Sequence, residues 1–304
     1  MDGVDVMEGF GGFEAQHHRV NGVDIFARVG GTDGAPPLLL LHGFPQSHVL
    51  WRRVAVQLQA HFRLVLPDLR GYGDSAKPPG EADHANYSKR TMAADVHALM
   101  QGLGHSSYFV CGHDRGGRVA HRLALDQPGA VRKLCVIDIA PTLDMYAATD
   151  QRFATAYYHW FHLIQPSPLP ERMIGADARF YLHTKLSGWG SKGNSFMEAA
   201  ALAEYERCFC DPAAIHAMCE DYRASASIDL AHDRASRAAG EKIACDTLVL
   251  WGERGVVQAL FDPLTLWQAQ CAGVVSGQSM PAGHYIAEEQ PEAAAAALSA
   301  FFGG

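Results

Sequence analysis

Short aliphatic runs recur along the chain, each followed by a helix-like segment: residues 38–41, 64–66, 108–111, 134–137 and 247–251. Continuous apolar runs suit strands buried on both faces, and strand–helix alternation builds a mostly parallel sheet with helices on both sides. Residues 23–29 alternate with period two between glycines, as an antiparallel strand at the start of the sheet does. From about 141 to 240 the rhythm stops. Aromatic, His-rich and Ala-rich helical stretches take its place, punctuated by Gln165-Pro166-Ser167-Pro168-Leu169-Pro170 and Ser187-Gly188-Trp189-Gly190. The expected fold class is α/β: a core of residues 1–140 and 241–304, with 141–240 inserted as a helical cap domain over it. Residues 293–297 read as part of a terminal helix.

Composition narrows the function. Lys plus Arg is 25 against 33 for Asp plus Glu, a net charge of −8, with no basic run, so neither nucleic acid nor an anionic membrane is an expected partner. The longest aliphatic run, 38–41, falls far short of the roughly 20 residues that cross a bilayer. Residues 1–9 are acidic and lack a basic n-region and an apolar h-region, so no secretory signal is readable and a cytoplasmic location is expected. The seven cysteines form no CxxC pair and read as reduced and structural. No His/Asp/Glu cluster sits at ligand spacing, and Gly71-Tyr72-Gly73 lacks the third glycine of a dinucleotide fingerprint, so neither metal nor cofactor is implied.

The chemistry centres on Gly112-His113-Asp114-Arg115-Gly116-Gly117, between the run at 108–111 and a helix-like segment at 118–126. A sharp strand-to-helix turn needs glycines where side chains clash and projects its middle residue above the sheet. This is the G-x-S-x-G elbow with Asp in the serine position. A carboxylate nucleophile forms an ester with the substrate's carbon, suited to displacement at a saturated centre. Taken alone, Asp114 is equally well a helix N-cap. His42-Gly43-Phe44-Pro45, closing the run at 38–41, can supply the Phe44 N–H, which with the Arg115 N–H makes an oxyanion hole; otherwise it is a plain Gly-Pro turn. Among 16 histidines, His284 in Ala282-Gly283-His284-Tyr285 stands where chain order puts a general base. Its orienting acid is less direct, because Trp251-Gly252-Glu253-Arg254-Gly255 has glycine where many enzymes of this fold carry Asp. Asp138, at the end of the 134–137 run, is the natural substitute, with Glu253 and Asp262 weaker candidates; alternatively Asp138 is a turn residue before Pro141. Arg115 and Arg118 share one helix face with Asp114, so two guanidinium forks can hold a substrate carboxylate and keep Asp114 ionised. An ordinary Asp–Arg ion pair is the alternative.

Asp68-Leu69-Arg70-Gly71-Tyr72-Gly73-Asp74-Ser75, the His42-Gly43-Phe44-Pro45 loop and the elbow resemble the α/β-hydrolase fold over nearly the whole chain. With Arg118, Tyr158-His159-Trp160, Trp189 and Glu220-Asp221-Tyr222-Arg223, the set resembles the haloacetate dehalogenases, in particular the fluoroacetate dehalogenases. Epoxide hydrolases and haloalkane dehalogenases usually have Trp after the nucleophilic Asp, where this chain has Arg115. The resemblance implies a halide pocket of His159, Trp160 and Tyr222, places Trp189 at the substrate cavity, and suggests a homodimer. The function expected is hydrolysis of a small haloacid such as fluoroacetate through an ester on Asp114. The rivals are an epoxide hydrolase or haloalkane dehalogenase of the same fold, and a non-catalytic ligand-binding protein on it.

Overall fold

The structure, a computed structural model, describes residues 10–303; the acidic stretch 1–9 lies outside the described residues. Eight strands form one sheet: β1 (Glu14–Val20), β2 (Val23–Gly31), β3 (Pro37–Leu41), β4 (Arg63–Pro67), β5 (Tyr108–His113), β6 (Val131–Ile137), β7 (Asp246–Gly252) and β8 (Val275–Met280). Their order is β1-β2-β4-β3-β5-β6-β7-β8. β1 pairs antiparallel with β2, and β2 with β4; every other pairing is parallel.

The aliphatic runs became the centre of this sheet. Leu38, Leu39, Leu40 and Leu41 are fully buried, as are Val110, Leu134, Cys135 and Val136, because helices cover both faces. β1, with the sequence EAQHHRV, is one strand that the aliphatic pattern missed. It is an edge strand whose residues are exposed or half-buried, so it carries no apolar face to read.

Parallel register brings the strand tips together. Leu41 pairs with Gly112, His113 with Ile137, and Ile137 with Leu250. The loops after β3, β5, β6 and β7 therefore leave the sheet side by side, at the carboxyl ends where open α/β sheets build their sites. Between β6 and β7 lie eight helices and no strand, from Thr142–Ala147 to Ile228–Ala238. One of them, Pro212–Ala226, starts with Asp211 accepting a hydrogen bond from the Ala213 N–H and Pro212 in the first turn. It is buried almost throughout from Ala214 to Ser225, wedged between the sheet's tips and the other inserted helices. No helix among the described residues is long and apolar enough to cross a membrane.

Candidate active site

Asp114 stands at the junction of β5 and the helix Arg115–Asp126 with φ 46° and ψ −114°, a region non-glycine residues rarely enter. Its side chain caps nothing on that helix. Instead Oδ1 accepts the Phe44 N–H at 3.0 Å, which separates this residue from an ordinary N-cap. The turn is possible because glycines surround it: a Cβ on Gly43 would sit 2.5 Å from the Asp114 Cβ, and one on Gly116 would sit 2.3 Å from the His42 carbonyl oxygen.

Burial opposes charge on Asp114, but His284, Arg118, His113 and Arg115 together outweigh it and hold the carboxyl below the usual carboxylate range. His284 Nδ1 lies 2.6 Å from Asp138 Oδ2, and Asp138 Oδ1 accepts the Gly252 N–H at 2.9 Å. Asp138 is thus fixed from β7 while it fixes the imidazole. Burial works against protonated His284, yet the hydrogen bond and charge of Asp138, then the charge of Asp114, raise its pKa above the ordinary 6.5. His284 Nε2 is buried with no hydrogen-bond partner, free for a water. The two weaker acid candidates lie elsewhere: Asp262 caps the helix Pro263–Gln268 through Thr265, and Glu253 accepts from Ser279 on the surface.

The two arginines differ. Arg118 Nη1 donates to the Ala140 carbonyl at 3.1 Å and to Thr142 Oγ1 at 2.9 Å. Its Nε has no partner and its Cζ lies 4.7 Å from the centre of the Trp160 ring. No carboxylate among the described residues comes within salt-bridge distance of it, and Asp114 is the foremost charge supporting its own. Arg115, expected to offer a second free fork, is instead engaged by a residue that sequence reasoning passed over. Its Nε and Nη2 donate to Asp221 Oδ2 and Oδ1 at 2.9 and 2.7 Å, and Nη2 also reaches the Asp221 carbonyl at 2.9 Å. Nη1 donates to Ser225 Oγ at 3.3 Å. A buried guanidinium needs a counter-charge, and a carboxylate next to Tyr222 in the Glu220-Asp221-Tyr222-Arg223 motif was the available signal.

Around these groups the inserted helices pack an aromatic box. His159 stacks on Phe44 with ring centres 5.8 Å apart, and lies 4.6 Å from Trp189 and 5.5 Å from Tyr222. The Trp189 ring is 5.1 Å from that of His284, and its Nε1 donates to the Ala156 carbonyl at 3.3 Å. Trp160 is buried under Arg118. His159 Nδ1 and the Tyr222 hydroxyl are buried without hydrogen-bond partners. Burial first, and then Lys185 and His284, push His159 well below 6.5, so its ring is neutral; burial and then Asp114 push Tyr222 up, so its hydroxyl keeps its proton. The site therefore combines an ionised carboxylate, an imidazole oriented by a second carboxylate, an unpaired guanidinium and unspent donors. Against the expectation that no His/Asp/Glu cluster sits at ligand spacing, Glu171, His216 and Glu220 converge near the surface within reach of one ion, His216 and Glu220 one turn apart on the helix Pro212–Ala226 and Glu171 45 positions before His216; Arg223 already donates to both glutamates at 2.8 and 2.6 Å.

Comparison with known proteins agrees with this geometry. Residues 36–289 match the alpha/beta hydrolase fold family. A fluoroacetate dehalogenase from Burkholderia sp. is 44% identical over 292 residues, covering 96% of this chain and 94% of that one. A soluble epoxide hydrolase from Corynebacterium sp. (strain C12) is 32% identical over 286 residues, covering 92% and 94%. A crystal structure of an alpha/beta hydrolase from Nostoc sp. PCC 7120 superposes with a TM-score of 0.93 at 51% identity, covering 96% of this chain and 99% of the other. Sheet order, elbow and family match together make this chain a member of the α/β-hydrolase family, with a mostly parallel eight-stranded sheet and a helical insert.

Proposed function

We propose that the protein hydrolyses haloacetate, fluoroacetate included, to glycolate and halide through an ester on Asp114. The observation that carries this reading is Arg118: a buried guanidinium beside the candidate nucleophile that forms no salt bridge among the described residues. An unpaired buried cation is costly, and a substrate carboxylate relieves that cost. An epoxide or a haloalkane has no charge to offer it. The 44% identity to a fluoroacetate dehalogenase supports the same choice over the more distant epoxide hydrolases.

With the carboxylate on Arg118 and the Nη1 edge of Arg115, the halogen-bearing carbon one bond away is aimed at Asp114. Oδ1 keeps the Phe44 N–H, and Oδ2 attacks. The C–O bond forms as the C–X bond breaks, and the electron pair leaves with the halide. Tyr222, His159 and Trp160 supply O–H and N–H donors to that halide, which fluoride needs to depart. Water then attacks the Asp114 carbonyl carbon and gives its proton to His284 Nε2, while Asp138 supports the resulting imidazolium. The Phe44 and Arg115 N–H groups hold the oxyanion, and its collapse expels the glycolate oxygen, which takes the proton back from His284. In this reading residues 141–240 are a cap domain that carries the halide donors and closes the site from water.

Ion chromatography tests the reading. Fluoride and chloride should appear stoichiometrically with glycolate from fluoroacetate and chloroacetate. Chloroacetamide or a short 1-chloroalkane should react at least a hundredfold more slowly, the expected order for losing a charge-assisted orienting contact. Equal turnover of the neutral halides would make Arg118 structural and favour the haloalkane reading.

A further inference from the structure

Behind the reacting groups lies a second buried charge cluster. Asp221, on the helix Pro212–Ala226, receives the Arg115 fork on both oxygens. It also accepts the Tyr72 hydroxyl on Oδ2 at 2.7 Å and is contacted by Lys89 Nζ on Oδ1. Lys89 in turn lies 3.8 Å from Asp229 Oδ2, and its main-chain N–H donates to Asp229 Oδ1 at 2.8 Å. Asp229 Oδ2 has no hydrogen-bond partner. All four charged side chains are buried. Two cations face two carboxylates, so the cluster is neutral when Asp229 is ionised and Lys89 protonated, and the carboxylates offset the charge that Arg115 brings to the active site. Its guanidinium is left with the Nη1 edge and the face that lies 4.1 Å from the Tyr222 ring centre.

On the haloacetate reading, on which this inference rests, we propose that Asp221 is a positioning residue that limits how tightly the site holds carboxylates: it takes up the fork and the charge of Arg115, so substrate and product both meet one uncompensated guanidinium, Arg118. Glycolate carries the same carboxylate as the substrate. Interactions that hold both equally do not speed the chemical step, and two bare guanidiniums would retain the product after the halide has gone. Asp221 and Tyr222 are adjacent, so one turn of helix sets both the charge balance and the placement of a halide donor.

Acetate, which has the carboxylate and cannot react, is the probe. Calorimetric Kd values are compared at pH 8 for the wild type, Asp221→Asn and Asp229→Asn. Burial raises the Asp229 pKa to about 6, so Asp229 is ionised there and both substitutions remove a negative charge. Asp221→Asn should bind acetate about threefold to tenfold more tightly. In turnover it should show a lower KM, a lower kcat and stronger inhibition by glycolate. Asp229→Asn keeps an acceptor for the Lys89 N–H and should shift Kd in the same direction by less, because Lys89 then turns fully to Asp221. A structural lesion would weaken binding in both. Acetate bound no more tightly by either variant overturns the inference, and if Asp221→Asn does not fold, Asp229→Asn decides alone. A wild type that releases no halide from haloacetate defeats the functional reading instead, whatever these Kd values are.

Discussion

Asp114 shows how much one residue's environment decides. Its φ of 46° and its bond from Phe44 hold the carboxylate above the sheet, and the strain is tolerated because the surrounding glycines leave room for it. The six-residue motif alone left Asp114 equally well a helix N-cap; the His42-Gly43-Phe44-Pro45 loop was needed beside it, and Asp138 stood as the favoured acid among alternatives because the tip of β6 had to lie beside that of β5. Asp221 stood in the Glu220-Asp221-Tyr222-Arg223 motif, but that signal did not say which cation it meets: Arg115 is 106 positions away and is reached only once the insert folds back on the core. Two outcomes belong to this scale. His284→Asn should release one equivalent of halide and stop with Asp114 esterified, visible as a mass increase on the intact chain; continued turnover at the wild-type rate would remove His284 from the mechanism. The second concerns pH. In the proposed mechanism His284 must be neutral to take the water's proton, and its pKa is raised above 6.5, chiefly through Asp138 working against burial. Activity should therefore fall as pH drops through a value above 6.5, and Asp138→Asn should move that limb to lower pH; an unmoved limb would assign it to another group.

At the scale of elements, the β3 loop and the elbow helix work as one unit because glycines let them touch. A Cβ on Gly43 would lie 2.5 Å from the Asp114 Cβ and 2.9 Å from the His113 carbonyl oxygen, neither of which can give way cheaply. Gly43→Ala should lower kcat roughly a hundredfold, the size of effect seen when an oxyanion donor is displaced, while the far-ultraviolet circular dichroism stays that of the wild type. An unchanged halide-release rate would show that this close approach is dispensable. The sequence pattern made the central strands legible because their burial on both faces leaves an aliphatic run. It left β1 illegible, because an edge strand with polar residues carries no such mark. The insert was legible as helical and strand-free, but not in how its helices pack, since His159, Trp189 and Tyr222 meet across three separate segments.

For the whole molecule, a buried lysine in the insert makes stability depend on pH. Lys185 is buried with its Nζ 3.6 Å from the Tyr158 ring centre, and burial alone draws its pKa down to about 7. A folded-state pKa below the unfolded value of 10.5 gives stability that is present at high pH and lost as pH falls through 7. Lys185→Met should therefore stabilise the protein by about 1 kcal/mol or more at pH 6 and by less at pH 10. A gain that does not vary with pH would mean that the ammonium is solvated in the folded state.

The central claim, that the enzyme's own carboxylate enters the reaction, is tested most directly by a single turnover in heavy-oxygen water with enzyme in excess of haloacetate. In the ester route water attacks the Asp114 carbonyl carbon, so the first label enters Asp114 and the glycolate oxygen comes from the enzyme. Mass spectrometry of the peptide containing Asp114 should show a gain of one heavy oxygen, with unlabelled glycolate. Heavy oxygen in the glycolate of that first turnover, with Asp114 unlabelled, would mean that water attacks the substrate directly, and would contradict the account.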